Sequence, residues 1–161
     1  MFEVGDVVVY PLHGAGVVEQ IDERQIEGER KKYLILSLAQ GNLKVSVPAE
    51  KTGEVGLRGV ISKGEVKRVM EVLKQDGAPM PANWNHRFKM NHEKLRSGDV
   101  YQVAEVVRNL TLRDREKGLS AGEKRMLQQA RDILISEIVY ATRSSRQKAC
   151  DMVDSAFGRC N

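Results

Sequence analysis

The sequence is poor in aromatic residues, at 5% of the chain, and has one tryptophan among its 161 positions, Trp84. Two cysteines, Cys150 and Cys160, both lie near the C-terminus. On a helix they would stand ~15 Å apart along the axis, at a rise of ~1.5 Å per residue, too far for a disulfide. That spacing excludes a disulfide framework and offers no cysteine pair to a structural zinc. His86 and His92 would point away from each other on a helix, so no metal site is expected, and no cofactor. No apolar run approaches the ~18 residues of a membrane span. The opening Met1-Phe2-Glu3-Val4-Gly5-Asp6 lacks the basic-then-apolar order of a signal peptide. A cytoplasmic protein without membrane contact is therefore expected. There is no Gly-x-Ser-x-Gly elbow and no Walker-type lysine loop. An enzyme is not expected.

What the sequence does have is charge. With 41% hydrophobic and 30% charged residues it suits a folded globular protein. The net charge of +4 is unevenly spread. Residues 1–75 carry 11 Lys and Arg against 11 Asp and Glu, whereas residues 76–161 carry 15 against 11. An acidic partner, most simply nucleic acid, belongs to the second half, and the excess supports weak, salt-sensitive binding.

The first fifty residues or so read as short strands. Val4 to Tyr10 is β-rich and closes at Pro11; Gly14-Ala15-Gly16 reads as a turn; Val17 to Ile21 follows as a second strand. Lys32 to Ala39 is a third, preceded by a turn at Gly28. After a turn at Gln40-Gly41-Asn42, Leu43 to Val47 alternates and stops at Pro48. Strands this short and this closely spaced suggest a small antiparallel barrel, which is too small to enclose a substrate. His13-Gly14-Ala15-Gly16 is followed by strand residues and not by a helix, so it is not expected to cradle a phosphate. Lys44-Val45-Ser46 belongs to a candidate edge strand, which could dock a partner through its backbone.

Beyond Pro48 the periodicity becomes helical. Ser62 with Glu65, and Ser120 with Glu123, have capping-box spacing. Asp99 with Gln102 repeats the pattern. Apolar stripes follow each start: Val66, Val69, Met70 and Leu73; Val100, Val103, Val107 and Leu110; Met126, Leu127, Ala130, Ile133, Leu134, Ile138 and Ala141. A last helix after Ser145 carries Ala149, Met152, Val153, Ala156 and Phe157. The expected architecture is α+β: an N-terminal β-module over residues 1–58, then an all-helical bundle over residues 59–161.

The stretch that organises the chain begins at Met80-Pro81-Ala82-Asn83-Trp84. Asn83 can cap a helix, placing Trp84 on its first turn, where the ring can overhang the helix end. On a helical wheel Trp84, Phe88 and Leu95 fall within ~40° of one another, so spacing alone also allows Trp84 to be core. Arg87 and Lys89 surround that helix. Lys124 and Arg125 sit in the first turn of another, where the helix dipole disfavours cations unless an anion is near.

Taken together, Val4-Gly5-Asp6-Val7-Val8-Val9-Tyr10-Pro11 with His13-Gly14, Val47-Pro48-Ala49-Glu50, Asn83-Trp84, and Glu116-Lys117-Gly118-Leu119-Ser120-Ala121-Gly122-Glu123-Lys124-Arg125 resemble the CarD/CdnL family of bacterial transcription regulators. The resemblance runs in order along nearly the whole chain. It implies a Tudor-like N-terminal domain that binds the β subunit of RNA polymerase. It also implies a helical domain that meets promoter DNA at the upstream fork of the transcription bubble and stabilises the open complex. Trp84 matches the family's minor-groove wedge. Arg87 and Lys89 match neighbouring phosphate-contacting positions, and His86 stands where some members have arginine. Arg24 matches a polymerase-contacting arginine. Ser46 stands where some members carry another, so Lys44 and Val45 join the expected contact. A monomer is expected. A Tudor-like protein–protein adaptor, whose helical half makes no DNA contact, is the alternative.

Overall fold

A computed structural model of the chain describes residues 1–39 and 41–158. Gln40, expected in a turn, and Cys160 lie outside the described residues. Five strands come first: β1 Val7–Tyr10, β2 Gly14–Ile26, β3 Glu29–Leu38, β4 Lys44–Pro48 and β5 Arg58–Gly59. Five helices follow: α1 Lys63–Lys74, α2 Trp84–Arg96, α3 Val100–Lys117, α4 Ala121–Thr142 and α5 Arg146–Ser155.

The strands form one antiparallel sheet in the order β4-β3-β2-β1-β5. Alternation along β3 buries Leu34, Leu36 and Leu38 on one face, where they meet Val8, Val18, Val47 and Leu57. The sheet is not closed among the described residues, β4 and β5 being its two ends, so the expected barrel is unconfirmed. With β5 only two residues long, there is too little strand to carry the ladder round.

The expected turn at Gly14-Ala15-Gly16 is corrected. These residues open β2, and the chain reverses one step earlier, at Pro11-Leu12-His13. Leu12 takes a left-handed backbone there (φ 71) and packs its side chain on the helical core. Such a conformation is costly for a bulky residue; packing across to the helices offsets it. Gly16 is required by close approach, since a Cβ would run into the Ser37 carbonyl and lie 2.9 Å from Leu38 Cα.

β2 and β3 continue beyond the sheet as a two-stranded ribbon. The register of β2 against β3 shifts between Val18 and Gln20, still within the sheet, and a two-residue loop at Glu27 (φ 52) and Gly28 (φ 82) closes the ribbon. Two positive φ values are what a tight hairpin of this twist demands.

The helices bury a second core, with Val69, Leu95, Val107, Leu110, Leu134 and Ile138 at its centre. Ser62 and Glu65 form the complete capping box that their spacing predicts. No helix among the described residues is long and apolar enough to cross a membrane. Cys150 is a free thiol.

Sheet and bundle meet along α4. Ala15 N–H donates to Ser136 Oγ (2.9 Å), and Gln129 Nε2 donates to the Leu12 carbonyl (3.3 Å). The Arg58 guanidinium forms a two-pronged pair with Glu137 (2.7 and 2.8 Å). Glu137 is 2% exposed and also accepts from Ile61 N–H at 2.9 Å. Burial alone would lower the pKa of Arg58; the bonds and charge of Glu137, with Asp99 and Glu65 adding, outweigh it and raise it. Removing one member of a buried pair strands the other's charge. Glu137→Ala should therefore lower the unfolding free energy by about 3 kcal/mol, read as a lower urea midpoint. Lys63→Ala, on the exposed first turn of α1, should leave the midpoint within error.

Candidate nucleic-acid interface

Asn83 caps α2 as expected, its side chain accepting from His86 N–H (3.1 Å). Trp84 is consequently the first residue of the helix, and its side chain reaches the start of α4. Its ring stacks on Phe88, with centroids 4.9 Å apart and planes 19° apart. The indole Nε1–H donates to Ser120 Oγ at 2.9 Å. Even so, 41% of the residue remains exposed. The helical wheel was right to align Trp84 with Phe88; Phe88 packs against the core, and the indole sits over it, outside.

The start of α4 explains why. Ser120 is its N-cap, accepting from Glu123 N–H at 3.2 Å. Full capping-box spacing predicts that the Glu123 carboxylate turns back to the cap. It does lean on the cap, accepting from Ser120 Oγ (3.2 Å), but it is also buried, 2% exposed, and takes Arg87 Nε (2.7 Å) and Nη2 (3.1 Å). Arg87 Nη1 donates to the carbonyls of Pro81 (3.2 Å) and Ala82 (3.1 Å), pinning the segment that leads into Trp84.

This corrects the expected role of Arg87 as a phosphate contact. The side chain is 4% exposed, and its donors are committed to Glu123 and the loop. The hydrogen bond with Glu123 raises the Arg87 pKa against the opposing effect of burial. The bond from Arg87 in turn holds the Glu123 carboxyl below the usual carboxylate range, again against burial, with the Arg87 charge and Ser120 assisting.

The other cations of this end are open to solvent: His86, Lys89, Lys124 and Arg125 are all exposed. Gly122 lies between ring and guanidinium, since a Cβ there would stand 3.4 Å from Trp84 Cζ2 and 4.0 Å from Arg125 Nη2. Two helix N-termini therefore converge on the indole, with Arg125 alongside. Partial positive charge at helix starts favours phosphate oxygens. Among the described residues, no cluster of His, Cys, Asp or Glu could hold a metal.

The second set of sequence candidates lies apart, on the sheet. Arg24 is on the exposed ribbon, its guanidinium 4.8 Å from the Tyr33 ring centroid and 3.9 Å from Asp22. Lys44 and Ser46 are exposed and Val45 is half-buried on β4, a free edge, with Lys44 paired to Glu19 at 3.1 Å.

Comparison with known proteins follows these two regions. A family model for the C-terminal domain of CarD matches residues 68–154, and one for the CarD-like/TRCF RID domain matches residues 2–61. The chain belongs to the CarD family of transcription factors. This CarD-like family is not enzymatic. YdeB of Bacillus subtilis (strain 168), named as a candidate transcription factor, is 36% identical over 138 residues, which is 86% of this chain and 90% of YdeB. The solved structure of CdnLNt from Myxococcus xanthus is similar at 35% identity, covering 39% of this chain and 89% of that one, with a TM-score of 0.34. The CarD family assignment carries no residue roles by itself, and those rest on the geometry.

That geometry makes the Trp84 end sensitive to acid. A folded-state pKa below the unfolded value means that the Glu123 contribution is complete above the ordinary glutamate pKa of about 4.3 and is lost as pH falls through the depressed value. Glu123→Gln should cost about 3 kcal/mol at pH 7. It should also flatten the fall in melting temperature below pH ~4. Melting curves from pH 7 to 3 check both.

Proposed function

We propose that this protein is a transcription-initiation factor that joins RNA polymerase to melting promoter DNA. The exposed, stacked indole of Trp84 at the meeting of two helix starts carries the reading. A minor-groove wedge is a flat apolar group held rigidly at a protein edge, with cations nearby to grip the backbone. Lys89, Lys124 and Arg125 supply those cations, with His86 beside them, while Arg87 acts from inside by fixing the loop before Trp84. Wedging or stacking contributes ~1–3 kcal/mol, too little to recruit the protein to DNA unaided.

Residues 1–58 supply the recruitment as a polymerase-interacting domain, and residues 59–161 form the DNA-binding domain. The free β4 edge, with Lys44, Val45 and Ser46, is available to pair with a strand of the β subunit. Arg24, on the ribbon, adds a charged contact. Holding the helical half beside the promoter then raises its effective concentration there. The protein acts as a monomer in the cytoplasm, at the upstream fork of the bubble.

Trp84→Ala should shorten the lifetime of the polymerase–promoter open complex on the order of tenfold, the kinetic equivalent of ~1–3 kcal/mol, while leaving polymerase binding intact. Filter-binding decay after a heparin challenge measures it. An unchanged lifetime would favour an adaptor without DNA contact. Arg24→Glu should weaken capture of the isolated β subunit at least fivefold and leave affinity for free DNA unaltered. Full capture in a pull-down rejects that assignment.

A further inference from the structure

We infer that Ser120 is the positioning residue of the wedge, locking the orientation of the Trp84 ring from the neighbouring helix; this rests on the wedge reading above. Stacking on Phe88 sets the plane of the indole but leaves it free to slide and turn within that plane. The bond from Nε1–H to Ser120 Oγ removes that freedom.

The Ser120 hydroxyl, though on an exposed residue, is itself tied by hydrogen bonds. A hydroxyl has one proton to donate and two lone pairs to accept with. Ser120 Oγ donates to Glu123 Oε1 (3.2 Å) and accepts from Glu123 N–H (3.2 Å) and Trp84 Nε1–H (2.9 Å), so its capacity is filled. The carboxylate it leans on is in turn clamped by Arg87. Orientation is thereby transmitted from a buried ion pair, through a helix cap, to an exposed ring.

A second consequence concerns readout. Nε1–H is the ring's one conventional donor, and it is engaged within the protein. What remains facing outward is apolar face and edge, which can prop a base step without hydrogen-bonding to its acceptors.

The test uses the full chain, in which Trp84 is the sole tryptophan and hence a clean fluorescent probe. Ser120→Gly keeps a residue accepted at helix N-caps but removes the oxygen; Ser120→Thr keeps the hydroxyl. Time-resolved anisotropy of the free protein should show the fast depolarising fraction of the indole at least doubling in the glycine variant and returning to wild type with threonine. Open-complex lifetime should fall severalfold with glycine and recover with threonine. In a Trp84→Phe background, which keeps an aromatic face but has no ring donor, Ser120→Gly should have no further effect on lifetime.

An equal further drop in the phenylalanine background means that Ser120 acts only as a cap, and overturns the inference. So does wild-type anisotropy in a folded glycine variant, with folding checked by its thermal melt. If Trp84→Ala leaves the open complex unchanged, the wedge reading fails; the anisotropy result still decides whether Ser120 holds the ring.

Discussion

The Trp84 end of the molecule depends on one buried ion pair, Arg87 with Glu123. Each charge left alone in that interior would be strongly unfavourable, and only their mutual geometry makes both tolerable. The pair joins the starts of α2 and α4, which otherwise repel weakly as two positive dipole ends. It also draws in the carbonyls of Pro81 and Ala82, so that the chain enters α2 in one direction. Trp84 inherits that direction. An exposed aromatic ring is ordinarily a mobile one; here the Ser120 hydroxyl that takes its N–H rests on Glu123, and the loop that leads into it rests on Arg87.

A comparable logic holds the two halves together. Gly14 takes φ +90 against α4, and a Cβ there would lie 2.7 Å from Ser136 Oγ. Arg58 reaches out of β5 to Glu137, and Leu12 gives up an ordinary backbone conformation to reach the helical core. The sheet and the bundle thus have separate hydrophobic interiors, and their seam adds specific polar bonds to apolar contacts such as that of Leu12. Apolar contact alone would let one surface slip over the other. The two-pronged Arg58–Glu137 pair does not, because it bonds at a fixed angle.

How much of this was legible beforehand depended on whether the determining contact was local. Helix starts at Ser62, Asn83, Asp99, Ser120 and Ser145 were readable because a cap is satisfied within its own first turn. The exposed Trp84 was only half readable: the wheel aligns it correctly with Phe88, but cannot say on which side of Phe88 the core lies. Barrel closure is not legible in the sequence, because a strand as short as β5 shows no pattern. The Gly14-Ala15-Gly16 stretch reads as a turn because glycine marks close packing as readily as reversal, and the partner of Ala15, Ser136, is 121 residues away. Arg87 was the instructive error. A cation beside an exposed tryptophan looks like a phosphate ligand until its carboxylate is found, and Glu123 was already explained as half of a capping box.

That double reading of Glu123 bears on how the protein is proposed to work. A glutamate that merely closed a cap would leave Arg87 free for DNA, and the wedge would be held by the DNA itself. With Glu123 committed inward, the orientation of the ring is settled before any DNA arrives. Ordering a rotamer-rich side chain at the moment of binding costs about 0.5–1.5 kcal/mol, a sizeable share of the ~1–3 kcal/mol that a stacked or wedged ring returns. Prior ordering shifts that cost to folding, where the buried pair meets it. The seam does the same for the protein as a whole. If β4 binds polymerase, the Arg58–Glu137 clamp places the ring relative to the enzyme in advance, so the second contact forms without a search over orientations. Two individually weak surfaces can then act as one, and neither has to be strong enough to hold a promoter by itself.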